Sequence, residues 1–366
     1  MRTFRRPRSL LVAGLACLAL ALPLALMARG TRVAAAATTP TYVVAGDDPN
    51  VTGDQWGLVD GAPSGGYFSQ LRTLLADPTR FGPNGTVNAT FTIRSTPVPV
   101  PLVTGALDGV DVYFLSARDA PTAAEVTVLQ AFVQRGGAVV VNSNAPYFFD
   151  DTQWLGFTLT PRVVFGDGGL GYTTTHKSPQ PSSITNTTHP VTNGPFGAVT
   201  QFFNWHTVDA FASLPPQAVP LARVTNLTGP DNNGSNVAVT ISGPTLAAIP
   251  ARALGATSGP ILATSDVDTF SNAYDGTAIS YPTDTDCRLV AAGVLTSNGR
   301  LALNTFAWIA AEKASLVGGG TTTTTTTGTT SSTTSAVTTT TRATTTTTST
   351  TTTSSTTTTT RKPRRR

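Results

Sequence analysis

The chain has 366 residues and a formal net charge of +4, with only 12% charged residues. The positive balance comes from the two ends: residues 1–37 and 321–366 hold six basic residues each and no acid. This leaves 12 basic residues against 20 acidic ones between them, a net of −8. A globular part of that sign argues against a nucleic-acid-binding core.

The first 37 residues read as a secretory signal. Arg2, Arg5, Arg6 and Arg8 form a positive head, an apolar stretch runs from Leu10 to Ala28, and Ala34-Ala35-Ala36-Ala37 offers small residues for cleavage. The alternative is an uncleaved anchor, since the apolar run is nearly long enough to span a bilayer. Cleavage leaves no membrane span and implies a secreted or cell-surface protein. It also leaves Cys287 as the one cysteine, so an intrachain disulfide and a cysteine-based zinc site are excluded.

Residues 38–317 read as one α/β domain. Tyr42-Val43-Val44-Ala45 is a short apolar strand ending at Gly46-Asp47-Asp48. In 67–76, Phe68, Leu71, Leu74 and Leu75 fall at helical spacing, and Pro78 closes the run. Residues 87–93 alternate apolar and polar, as a half-buried strand does. Asp111-Val112-Tyr113-Phe114-Leu115 is a buried strand. Thr122 and Glu125 form a capping box that opens a helix, and Gly136-Gly137 stops it. Ala138 to Val141 is a second buried strand.

From about 150 to 250 the texture turns to Gly, Pro, Thr and Asn with short β-type runs, predicting a β-rich insertion or subdomain. The alternation returns with the strand 259–264, and with 299–311, where Leu301, Phe306 and Ile309 make an apolar stripe. Repeated β-α-β order predicts a flavodoxin-like parallel sheet with helices on both faces.

These segments carry a resemblance. The block 111–141, the turn His189-Pro190-Val191-Thr192-Asn193-Gly194, the stretch 259–272 and Asn304-Thr305-Phe306-Ala307-Trp308-Ile309 resemble the class I glutamine amidotransferase-like superfamily. More narrowly they resemble its non-amidotransferase, extracytoplasmic bacterial branches and, distantly, the trehalose-utilisation family. The resemblance covers most of 42–312. Amidotransferase chemistry needs a Cys nucleophile on a tight turn after the strand 138–141, because it passes through a thioester. This chain reads Asn142-Ser143-Asn144-Ala145-Pro146 there, with no Cys and no glycine to bend an elbow. The His-x-Glu pair is missing too, since Glu125 and Glu312 are the only glutamates.

Ser143 as a substitute nucleophile needs a histidine from among His176, His189 and His206, with a carboxylate behind it. His189 reads as a structural turn and His206 as packed among aromatics. Asp266, Asp268 and Asp275 could suit Ca²⁺, but they read better as backbone-capping loop residues. No metal and no cofactor is expected.

In open parallel sheets ligands sit beyond the carboxyl ends of the strands. The residues there are Asp47, Asp48, Ser116, Arg118, Asn142, Ser143, Asp266 and Asp268. They suit a polyhydroxy or cationic ligand, carbohydrate or cell-wall polymer included. Phe202, Trp205 and Trp56 are either stacking faces for a sugar or core residues. The tail from 318 on, with Thr at 29 of the 40 positions 321–360, cannot bury enough surface to fold. It reads as a disordered stalk ending in Arg361-Lys362-Pro363-Arg364-Arg365-Arg366. Two functions stay open: a secreted, non-catalytic binding or surface-interaction module, and an extracytoplasmic hydrolase or carbohydrate-acting enzyme on the same scaffold.

Overall fold

The computed structural model describes residues 38–48, 58, 68–116, 120–143, 152–161, 163–164, 180–204, 207–230, 237–271, 279–280, 287–289 and 294–318. The signal segment, the Thr-rich tail, Arg118, Trp56, Trp205, His176, His206 and Asp275 lie outside them.

One nine-stranded sheet organises the chain. Its strands are β1 (Thr41–Gly46), β2 (Thr90–Ile93), β3 (Val112–Ser116), β4 (Ala138–Asn142), β5 (Gln180–Ile184), β6 (Gln201–Asn204), β7 (Val219–Pro230), β8 (Ala238–Ile249) and β9 (Ile261–Thr264). Their spatial order is β6-β5-β7-β8-β9-β4-β3-β1-β2. The last five named, β9 to β2, are mutually parallel. Their order is the flavodoxin-like one, with its reversal between β1 and β3. Because these strands are covered on both sides, β3 and β4 read as unbroken apolar runs, and every residue of both is buried.

The insertion differs from a separate subdomain. Its strands β5 to β8 join the same sheet edge to edge, all antiparallel, and β8 docks against β9. The 12-residue strands β7 and β8 pair along their length, which short runs in the sequence do not announce. Further short pairings lie outside the main sheet.

Helices α1 (Ser69–Ala76), α2 (Ala123–Gln134) and α3 (Asn298–Val317) cover the two faces. Strand alternation decides which side chain meets which helix. Val112, Phe114 and Val140 pack with α1 and α3. Tyr113, Leu115, Val139 and Val141 pack with Leu129, Phe132 and Val133 of α2. Burial of each such side chain contributes about 1.5–3 kcal/mol.

Helix α2 opens on the capping box read from the sequence: the Thr122 hydroxyl accepts from the Glu125 amide, and the Glu125 carboxylate accepts from the Thr122 amide. It ends on Gly136, whose φ of 91° lies in the left-handed region. There the Gly136 and Gly137 amides bond the Val133 and Phe132 carbonyls, closing a Schellman motif. Helix α3 buries far more than the expected stripe of three. Every residue from Asn298 to Ala310 except Arg300 is buried, because the turn carrying His189 covers its second side.

Candidate functional site

The carboxyl ends of the parallel strands carry a layer of polar side chains. Asp47, Ser116, Asn142, Ser143, Thr264, Ser265 and Asp266 are all buried. The pleat divides them. Ser116 continues the alternation of Val112 and Phe114, Asn142 that of Ala138 and Val140, and Thr264 that of Leu262, so these three belong to the face covered by α1 and α3. Asp47 accepts a hydrogen bond from the Tyr113 hydroxyl, whose ring packs with α2. The structure therefore brings Ser116, Asn142 and Thr264 together and sets Asp47 on the opposite face.

Ser116 and Asn142 are register partners on adjacent parallel strands. The Thr264 hydroxyl donates to Asn142 Oδ1 at 3.2 Å and sits within 2.9 Å of the Asp266 carbonyl. The Asn142 amide NH2 and the Ser116 hydroxyl remain. Among the described residues, Asn142 Nδ2 and Ser116 Oγ have no hydrogen-bond partner, although 0% and 1% of these residues is exposed. Native proteins rarely leave such groups unpaired, because each costs about 1–3 kcal/mol. The two lie side by side at the ends of β3 and β4.

The other expected site residues lie as follows. Ser143 is fully buried, and its amide donates to the Thr264 carbonyl at 3.0 Å, which continues the β4–β9 ladder. Asp48 is half-buried, with its amide on the Val98 carbonyl. The Asp266 carbonyl accepts from Thr264 and Thr269, a cap of the 3₁₀ turn Val267–Phe270. Asp268 lies in that turn, and its side chain is outside the described set. Phe202 is fully buried in the core, so it offers no stacking face.

Among the described residues, both glutamates and His189 have structural partners. Glu125 ties α2 to the segment between β2 and β3 by accepting from the Leu102 amide at 2.9 Å. Glu312 accepts from the Ala251 amide and from Trp308 Nε1. His189 sits in the turn read from the sequence. Its Nδ1 accepts from the Val191 amide at 3.2 Å, its ring lies 5.5 Å from that of Trp308, and burial pushes its pKa from 6.5 down to about 4. Asn304 of α3 holds the turn from the other side, bonding the Phe196 amide and the Gly197 carbonyl. Gly194 is required there, because a Cβ would collide with the Pro190 carbonyl and with Asn304. Among the described residues no three His, Cys, Asp or Glu side chains group as a metal site. No helix among them is long and apolar enough to cross a membrane.

Sequence reasoning missed one further polar group, Asn204 at the end of β6. Its Nδ2 donates to Ser182 Oγ at 2.8 Å, and its buried Oδ1 has no partner among the described residues. Its place in a Phe-Phe-Asn-Trp-His run gives no signal of a polar network.

No family model and no curated protein matches the chain. Solved structures do show a likeness. An mmIFT52 N-terminal domain is 14% identical, with 74% of this chain and 97% of that one covered at a TM-score of 0.42. A ThuA-like protein from Bacteroides uniformis is 12% identical over 74% and 91%, at 0.39. Another from Parabacteroides merdae is 12% identical over 75% and 91%, at 0.38. ThuA-like proteins, of the trehalose-utilisation family, are thus among its structural neighbours.

Proposed function

We propose that this chain is a secreted, non-catalytic binding module, held on a Thr-rich stalk, that takes a neutral polyhydroxy ligand of the carbohydrate class at the ends of its parallel strands. We place it in the amidotransferase-like superfamily as a member that has lost the parent chemistry. One observation carries the reading: the neighbouring Ser116 hydroxyl and Asn142 amide, buried and without partners among the described residues. A hydroxyl that both donates and accepts is the natural complement of such a pair. The position after β4, where the superfamily keeps its nucleophile, supports the non-catalytic half. Ser143 is held there in regular ladder geometry, and both glutamates are tied to backbone amides elsewhere.

Calorimetric titration of the mature protein with neutral oligosaccharides tests this reading. Binding that is lost in Asn142→Leu, with the fold intact, supports it. Hydrolysis of the sugar that disappears in Ser143→Ala overturns it in favour of an enzyme. Sequencing the mature N-terminus tests secretion, with a start near Thr38 expected.

A further inference from the structure

Strands β7 and β8 are each 12 residues long, but the sheet holds only part of each. Strand β8 meets β9 at Leu246–Ile249, and β7 meets β5 at Ala222 and Arg223. Beyond those points, Val224–Pro230 and Ala238–Gly243 pair with each other alone among the described residues. Leu246 is the register partner of Thr264, the last residue of β9. The two-stranded ribbon therefore leaves the sheet at the pole where the parallel strands end.

A strand edge without a neighbour presents amide and carbonyl groups that another strand can pair with. Proteins blunt such edges with charge, proline or bulges. The β7 edge is blunted. An extra residue between Val224 and Leu227 shifts its register, and Asn226 there has a φ of 50° and donates its amide to Ser242 Oγ at 2.8 Å. The β8 edge has no such device: from Ala238 to Gly243 it carries no extra residue, no proline and no charge. Val239 and Ile241 belong to an apolar underside shared with Val224 and Leu227, while Ala238, Thr240 and Ser242 are exposed.

We propose that the β8 edge pairs with the same edge of a second copy, antiparallel about a two-fold axis through Thr240. This surface is separate from the ligand site proposed above. Charge and symmetry identify the occupant. The globular part carries 12 basic against 20 acidic residues, so copies repel one another over most of their surface. Val224–Pro230 and Val237–Ile249 contain no charged residue, so here two copies can approach. The two-fold makes the contact self-complementary: Thr240 meets its counterpart, and Val239 meets Ile241 of the second copy. Opposed residues of antiparallel strands lie on the same face, so the apolar underside of one ribbon continues into that of the other. One short strand pair is smaller than a standard interface, which sets the dissociation constant on the order of 100 μM.

The test is sedimentation equilibrium of the mature protein at concentrations on either side of that value. Wild type should pass reversibly from monomer to dimer. Thr240→Lys and Thr240→Glu, each alone, should weaken the dimer about tenfold or more, because like charges meet on the axis. An equimolar mixture of the two should restore it. Thr225→Lys, on the bulged β7 edge, should leave it unchanged. Melting temperatures at low concentration control for folding. Hydrogen exchange of the wild type reads the same edge without a substitution: amides within 238–243 should gain protection as the dimer forms. A monomer at every concentration overturns the proposal. So does a dimer that Thr240→Lys leaves intact or that the mixture fails to restore. Full protection of 238–243 in the dilute monomer would show the edge covered by its own chain and overturns it as well.

Discussion

Ser116 and Asn142 face one another in register at the ends of β3 and β4, and both are buried with polar atoms that no described residue satisfies. A protein selected for stability alone would carry alanine and leucine at such positions. In the absence of ligand, Ser116→Ala should therefore stabilise the fold by about 1 kcal/mol, since it removes an unpaired hydroxyl without opening a large cavity. Thermal unfolding should show the midpoint rising by about 2–4 °C. The same variant should bind ligand less tightly. A lower midpoint would mean that the hydroxyl is already satisfied in the free protein.

Ser143→Ala should leave binding intact and cost at most about 1 kcal/mol. The Ser143 amide, which the substitution keeps, makes the ladder bond to Thr264. Removing a true nucleophile costs several powers of ten in rate. A hydrolase assay on wild type and variant separates the two outcomes.

Glu125 has a structural task that its helix position alone does not reveal. One carboxylate oxygen caps α2 through Thr122, and the other accepts from the buried Leu102 amide, 23 residues earlier in the chain. Glu125→Ala removes the cap and orphans that amide. The loss should be about 2–4 kcal/mol, read from urea unfolding at equilibrium. A loss within a few tenths of a kcal/mol would show that neither contact forms.

How far the sequence reveals the molecule depends on which forces act locally. β3, β4 and β9 are legible because strands covered on both faces need unbroken apolar runs, and the α2 cap and stop because both are made by residues near in sequence. The merging of the insertion into the main sheet is not legible. It rests on edge pairing of β8 with β9, and the Gly243-Pro244 step inside β8 reads as a break. The strand-end residues were locatable, but their division between two faces was not. Asp47 is assigned to the α2 face by its bond from Tyr113, 66 residues later in the chain. Asn204 bonds Ser182, which bonds Thr245, contacts that depend wholly on the antiparallel extension.

The turn carrying His189 gives the fold a pH dependence. The unfolded chain titrates this imidazole near 6.5, and burial holds it at about 4 in the folded state. The unfolded state therefore binds the proton more readily between those values, and stability rises with pH across that window. As pH falls from about 6.5 towards 4 this contribution is lost, while the folded ring stays neutral and keeps the Val191 amide bond to Nδ1. Melting temperatures across this range should fall more steeply for wild type than for His189→Gln. Parallel curves would show that the folded and unfolded states titrate His189 alike.

On the proposed reading the Asn142 amide donates to the ligand. Its side-chain NH2 resonances in a ¹⁵N-labelled protein, identified by their loss in Asn142→Leu, report on it directly. On titration with a bound neutral oligosaccharide these resonances should shift and saturate with the calorimetric affinity, while the sugar is recovered unchanged. Binding that leaves them in place would mean that Asn142 does not donate to the ligand, and sugar that is cleaved would mean that the protein is an enzyme.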